Sequence, residues 1–291
     1  MNLGYVASVA ASVAVFMVAS VQDIRDREVS DALWVLLGGI GFALAALGIA
    51  TGEIPMPGMS WLVILLALFL FADMFIDWEE VAGRYGKALR YGLAVALLFI
   101  AVLAVSSYLS EVYVAIFSSL PLWILFIFLL YRLDVIKGGA DAKALVTLAV
   151  LFPLYPPAVA GPGQPLFDTL TFPFFVSVLM MAAVFSIAVP LYLFFTNLAT
   201  GSARLPHMLL GFRKGTQSVD LRKEWLLEIP DGSGMPVRLK KLGSVDEKSE
   251  LERVRALGWR EIWITPKIPF IVPMTAGLLF VLVFGNPLLF L

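Results

Sequence analysis

The chain is predicted to be an α-helical polytopic membrane protein, with about eight transmembrane helices and a small α+β cytoplasmic domain inserted before the last of them. Three observations predict this. Hydrophobic residues make up 60% of the 291 residues and charged residues only 15%, at a mean hydropathy of +0.91, far beyond the apolar content of a soluble domain. Apolar runs long enough to cross about 30 Å of hydrocarbon as helices recur along the chain. Lysine and arginine gather on one side of those runs.

The runs fall near 3 to 22, 32 to 51, 59 to 76, 91 to 109, 112 to 131, 143 to 160, 173 to 196 and 268 to 290. The first has no basic residue before it and is followed at once by Arg25 and Arg27, which predicts a retained anchor and not a cleaved signal. The turn at 106 to 111 divides the fourth run from the fifth, and Tyr155-Pro156-Pro157 interrupts the end of the sixth. With the N-terminus outside, eight crossings place 23 to 31, 77 to 90, 132 to 142 and 197 to 267 in the cytoplasm. All 21 Lys and Arg residues then lie in those segments or at their edges, with Lys143 at an edge, while the outer loops hold only Glu53, Glu111 and Asp168. This split follows the positive-inside rule.

Three parts result: a membrane core over 1–196, a cytoplasmic α+β domain over 197–267 and a final helix over 268–291. The polar segment carries 13 basic and nine acidic residues in a chain whose net charge is −1, which suits a body beneath an anionic leaflet. Its pattern predicts a strand over 224 to 229, a turn at Pro230-Asp231-Gly232-Ser233-Gly234 and a strand over 236 to 242. A charged helix over 246 to 257, closed by Gly258, and a strand over 261 to 264 follow. Nothing in this segment has a catalytic pattern; regulation, substrate docking, assembly and passive structure all remain open.

The residue inventory removes several chemistries. With no cysteine, disulfides, thiolate nucleophiles and cysteine-bound zinc are excluded. His207 is the sole histidine; it is expected to be a surface residue, without companions at metal or Ser-His-Asp spacing. Gly83-Arg84-Tyr85-Gly86-Lys87 lacks the spacing of a phosphate-binding loop. No cofactor, metal or nucleic acid is expected.

Two carboxylates stand out. Asp23 closes the first run and Asp141 follows the pair Gly138-Gly139 just ahead of the sixth, and an acid at the hydrocarbon edge is costly enough to suggest function. Both fall on the cytoplasmic side, where they could serve as acid and base of a hydrolytic pair. Asp23 could also be interfacial, and Asp141 an N-cap, although a cap does not require Gly138-Gly139, which offer backbone freedom or close approach by a substrate. Asp73 lies within the third run, where it could line a polar path; an ordinary interfacial place is favoured.

Gly138-Gly139-Ala140-Asp141-Ala142-Lys143-Ala144-Leu145 resembles the prepilin peptidase form of the glycine and aspartate signature of intramembrane aspartyl proteases, with Ala140 where the name-giving motif has its second glycine. Asp23-Ile24-Arg25-Asp26-Arg27-Glu28-Val29 resembles the first catalytic aspartate of that family and its flank. Thr265-Pro266-Lys267-Ile268-Pro269-Phe270 looks like the entry to the final helix of the archaeal branch, which trims preflagellins and other type IV pilin-like precursors. Two departures accompany the likeness. Four runs lie between the aspartates where the compact archaeal enzymes need two; the extra pair, at about 59 to 109, preserves the sidedness of Asp141. The tetracysteine domain of many bacterial members is absent, so methyl transfer is not expected.

The resemblance implies a membrane aspartyl endopeptidase that removes a short basic leader from type IV pilin-like or preflagellin precursors at the cytoplasmic face of the cell membrane. Asp23 and Asp141 would be catalytic, and the start of a helix near Asp141 favours that residue as the ionised partner. Gly138, Gly139, Ala140 and Lys143 would form the motif, Lys143 either through its charge or as a snorkelling anchor. Asp26, Glu28, Asp31 and Asp134, with Asp77, Glu79 and Glu80, could attract a basic leader or be solvated loop charges. Precursor proteins and membrane lipid are the expected partners. A proton-coupled transporter relaying protons through Asp23 and Asp141 is the alternative; it predicts polar groups near mid-membrane, whereas these acids gather at one face. A non-catalytic scaffold would leave Gly138-Gly139 and the paired aspartates unexplained.

Overall fold

The computed structural model describes residues 3–156, 168–202, 204–239 and 245–290, and its chain divides into two units, one of residues 1–182 with 270–291 and one of residues 183–269. The first unit opens with α1 (Leu3–Asp26), α2 (Asp31–Ala50) and, after a 3-10 turn at Ser60–Leu62, α3 (Val63–Asp73). There follow α4 (Trp78–Ala82), α5 (Gly86–Val105), α6 (Val112–Arg132), α7 (Gly139–Leu151), the single turn α8 (Asp168–Thr171) and α9 (Phe174–Ser186), whose last residues belong to the second unit. The second unit holds α10 (Ala188–Ala199), α11 (His207–Leu210), β1 (Phe212–Gly215), β2 (Glu224–Leu226), β3 (Glu228–Pro230), β4 (Pro236–Arg238), α12 (Glu247–Ala256) and β5 (Glu261–Pro266). The chain closes on α13 (Ile271–Phe284), in the first unit.

The expected helical membrane architecture is present, and the described residues do not confirm the count of eight spans. Among the described residues, five helical segments are long and apolar enough to cross a membrane: Gly4–Asp26, Asp31–Ala50, Trp78–Val105, Val112–Arg132 and Phe174–Ala199. The third and eighth runs form shorter apolar helices, Ser60–Asp73 and Ile271–Phe284. In the sixth, α7 stops at Leu151 because Pro153 cannot continue a helix and biases Phe152 to extended backbone. At 13 residues it reaches roughly 20 Å at 1.5 Å per residue, short of a bilayer core. Hydropathy counted the apolar residues beyond the proline as helix. The end of that run, 157 to 160, lies outside the described residues.

Close helix packing in the first unit depends on small residues where backbones meet, as in other membrane bundles. A side chain at Gly41 would sit 2.9 Å from the Cα of Leu151, and one at Gly277 would sit 2.6 Å from the carbonyl oxygen of Val178. Gly38 makes room for the ring of Phe71. Around these contacts Phe16, Trp34, Leu37, Phe117, Leu145, Leu148, Phe174 and Leu278 form a buried core. Leu36, Leu47, Val95, Phe99, Leu122 and Leu129 face outward, as a lipid-exposed surface requires.

The second unit has a three-stranded antiparallel sheet in the order β1-β5-β2 and a separate hairpin of β3 and β4. The single strand expected over 224 to 229 is two strands, because Leu227 serves both sheets. Its N–H donates to the Trp263 carbonyl and its own carbonyl accepts from Leu239. Asp231 makes the hairpin turn with its side chain, accepting from the backbone N–H groups of Ser233 and Met235 at 2.8 and 2.9 Å. The predicted helix is α12, capped by Asp246, whose side chain accepts from Lys248 N. Leu226, Leu251, Val254, Ile262 and Ile264 bury one another beneath it. Strand β1 was not expected, since Phe212-Arg213-Lys214-Gly215 is too polar and short to read as one. Positions 240 to 242 of the second predicted strand lie outside the described residues.

Candidate active site

Asp23 lies in the last turn of α1, one turn beyond Ser20. That face of α1 is held against α13 by buried hydroxyls: Ser20 Oγ and Thr275 Oγ1 are 2.7 Å apart, and the Thr275 hydroxyl lies 2.8 Å from the carbonyl oxygen of Ile271. The contact brings the Asp23 carboxylate to the start of α13, where Oδ2 accepts from the backbone N–H of Ile271 at 3.1 Å. The first N–H groups of a helix lack internal partners. Asp23 thus supplies one of them with an acceptor and sets its charge at the positive end of the helix dipole. Sequence order hides this pairing of residues 248 positions apart. The only local clue is a serine one turn before the aspartate.

Asp141 occupies the first turn of α7, for which Gly138 is the N-cap in extended conformation, with φ −90°. Any residue adopts that backbone, so Gly138 is not needed for conformational freedom. It is needed for space: a Cβ at this position would lie 2.3 Å from Asp141 Oδ2, so the carboxyl folds back over the bare Cα. Gly139 differs, since a Cβ there would meet only the Tyr131 hydroxyl at 3.6 Å, an ordinary contact. No hydrogen bond to the Asp141 carboxyl occurs among the described residues.

The two carboxyls come within electrostatic reach, and the charge of Asp23 acts on Asp141. Helix α2 connects their supports, packing on both α1 and α7, while α13 touches both as well. Phe16 of α1 meets Trp34 of α2 edge-on at 5.5 Å between ring centroids. On the other side, Gly41 of α2 packs on the backbone of α7. Lys143, one turn of helix from the N-cap of α7, donates to Asp31 Oδ1 at 2.6 Å and lies 5.0 Å from the centroid of the Phe75 ring. Lys143 thus pairs with a charge of its own chain.

The remaining predicted residues are placed differently. Asp31 is taken by Lys143, Asp26 faces Arg25 at 3.8 Å with both side chains well exposed, and Glu28 is exposed. Asp134 lies two residues beyond α6 in left-handed conformation, with φ 58°. Asp73 is tied to Arg90 at 2.5 Å and to the Trp78 indole N–H at 2.7 Å. Asp77 caps α4, accepting from Glu79 N and Glu80 N, and Glu79 pairs with Lys87 at 3.0 Å. The structure corrects one expectation outright: His207 is buried, beside Glu228 and 5.4 Å from the Trp263 ring. Its position directly after a polar turn concealed the fact that Met208, Leu227 and Trp263 close over that corner.

Sequence reasoning also passed over Arg27. It directly follows the last residue of α1 with φ 61° and acts electrostatically on Asp23. Its Nε and Nη1 are buried and have no hydrogen-bond partner among the described residues.

Comparison with known proteins finds a family match near the C-terminus and several similar archaeal proteins. Residues 205–286 match the family described as the archaeal peptidase A24 C-terminus, type II. A preflagellin peptidase of Methanococcus voltae is 28% identical over 194 residues, covering 64% of this chain and 82% of that protein. A preflagellin peptidase of Methanocaldococcus jannaschii is 29% identical over 158 residues, 52% of this chain and 64% of that protein. An uncharacterised protein of the same organism is 24% identical over the whole chain. Matched in its C-terminal part by one comparison and over more than half its length by another, the chain is similar to archaeal preflagellin peptidases and to the archaeal peptidase A24 C-terminus.

Proposed function

We propose that this protein is a membrane aspartyl endopeptidase that removes the short basic leader of type IV pilin-like precursors, preflagellins among them. The observation that carries the reading is that Asp23 and Asp141, on two different helices, lie near enough for the charge of one to act on the other, in a chain similar to preflagellin peptidases. In this reading residues 1–196 and 268–291 form the protease body and 197–267 a cytoplasmic domain. The N-terminus is outside, and cleavage occurs at the cytoplasmic face.

Hydrolysis needs one carboxylate as base and one carboxyl as acid. The Ile271 N–H favours the anion of Asp23, so Asp23 takes the role of base, although the helix start beside Asp141 argued for the reverse. Asp23 draws a proton from a water whose oxygen bonds to the scissile carbonyl carbon, while Asp141 gives its proton to the carbonyl oxygen. Collapse of the tetrahedral adduct breaks the C–N bond: one of its hydroxyls returns a proton to Asp141, and the leaving nitrogen receives the proton held by Asp23.

The test is cleavage of a panel of type IV pilin-like precursors by the purified full-length protein. Wild type should shorten at least one precursor by its leader, and Asp23→Asn or Asp141→Asn should each abolish this while the variants stay folded. Near wild-type cleavage by either variant would refute the dyad. If the wild-type protein cleaves no precursor, the peptidase reading itself falls.

A further inference from the structure

We propose that Arg27 is a substrate-binding residue of this peptidase, its guanidinium donating to backbone carbonyl oxygens of the precursor on the apolar side of the cut; the inference rests on the peptidase reading above. Two non-glycine residues among those described have positive φ, Arg27 and Asp134, and each lies just past the end of a helix. An aspartate tolerates the left-handed conformation because its short side chain can bond locally, but an arginine has no such compensation. Glycine is the usual residue at this place after a helix. Arg27 therefore holds a conformation that its side chain makes harder, which points to a use for that side chain.

Its surroundings give the use. A buried donor without an acceptor costs free energy, and such groups in native proteins call for an explanation. Nε and Nη1 of Arg27 are both in this condition, four residues from Asp23. The cation acts on Asp23, yet no ion pair closes between them within 4 Å among the described residues, and Asp23 Oδ2 receives the Ile271 N–H instead. The guanidinium donors thus remain for a group that arrives with the substrate. An extended peptide presents carbonyl oxygens on both sides of the scissile bond. A cation repels the basic leader, so the acceptors it suits lie on the other, apolar side.

The experiment compares Arg27→Gly and Arg27→Lys with wild type and Asp23→Asn, in steady-state cleavage of a preflagellin precursor and in thermal unfolding. Arg27→Gly removes the side chain together with the left-handed strain, so it should unfold no earlier than wild type. Arg27→Lys keeps the charge without the planar set of donors. Both variants should raise KM about ten- to hundredfold, the scale of a lost hydrogen bond to a charged group, with kcat within a few-fold of wild type. A wild-type KM in Arg27→Gly overturns the proposal, and so does an earlier unfolding of that variant, which would make the guanidinium a structural prop. A wild-type KM in Arg27→Lys removes the role of the fork. Failure of the peptidase reading is separate: there the wild-type protein does not cleave, or Asp23→Asn does.

Discussion

Asp23 and Asp141 sit at opposite ends of their own helices, and the protein treats them differently. Asp23 ends α1 and reaches across to cap α13 through the Ile271 N–H, so its carboxylate is fixed by a hydrogen bond from another part of the chain. Asp141 begins α7 and folds over the bare Cα of Gly138 without a described hydrogen bond. One acid is held by a donor and the other by a shape. A base that must stay ionised gains from the first arrangement; an acid that must keep and then release a proton is better served by the second.

The sharpest way to break this comparison is at the glycines. Gly138→Ala places a Cβ within 2.3 Å of Asp141 Oδ2, with no backbone strain, and must push the carboxyl aside. A misplacement of about 1 Å can cost roughly a hundredfold in rate, and cleavage by Gly138→Ala should fall on that scale. Gly139→Ala meets only the Tyr131 hydroxyl at 3.6 Å and should cleave within about twofold of wild type. Equal losses in the two variants would show that the glycines act through chain freedom and not through space for Asp141.

A second contrast concerns stability. Asp23→Ala removes the acceptor of the Ile271 N–H and should cost about 1 kcal/mol, the usual value of a lost cap. Asp23→Asn retains an acceptor oxygen and should cost little, while losing cleavage. Asp141→Asn has no described hydrogen bond to lose, so it should unfold near the wild-type temperature. Thermal unfolding of the three variants in one detergent checks this. A drop in Asp141→Asn as large as that in Asp23→Ala would put a missing donor on Asp141 and end the distinction.

How much of this was legible from the sequence follows from the range of each interaction. The aspartates were visible because acids beside long apolar runs are rare, and the helical membrane class followed from hydropathy. The motif glycines were visible as a pair, but not their inequality, which depends on where the Asp141 carboxyl folds. The Asp23 to Ile271 contact joins the two ends of the chain, and no local pattern encodes it. The strand break at Leu227 was hidden for the same reason, since both of its partners, Trp263 and Leu239, lie elsewhere in sequence. Helix ends were overrun where apolar composition continued past a proline, as after Leu151.

Lys143 and Asp31 test how tightly the Asp141 side is braced. Their contact is short at 2.6 Å, but Asp31 is 56% exposed, and exposed pairs contribute less than about 1 kcal/mol. Asp31→Asn should therefore lower stability by no more than that and leave cleavage within a few-fold. Lys143→Met removes the ammonium from both Asp31 and the Phe75 ring and should behave alike. A loss as severe as that of Gly138→Ala would mean that the pair aims Asp141, and the contrast between a hydrogen-bonded and a shape-held acid would need a third support.

The smallest expected effect lies in the sheet unit, which serves as a reference for acid sensitivity apart from the aspartates. Burial disfavours the charged form of His207 and lowers its pKa below the ordinary 6.5; Glu228 opposes the shift, while Arg204 and Arg238 add to it. The unfolded chain therefore binds more protons than the folded one between 6.5 and the lower folded value. The stability contributed by neutral His207 is complete above pH 6.5 and is lost as pH falls through the folded pKa. The unfolding temperature of the full-length protein should drop on acidification in that window. His207→Gln should flatten the drop, and Glu228→Gln should steepen it by removing the neighbour that favours the imidazolium. Identical acid slopes for wild type and His207→Gln would assign the sensitivity to other groups and leave His207 a neutral packing residue.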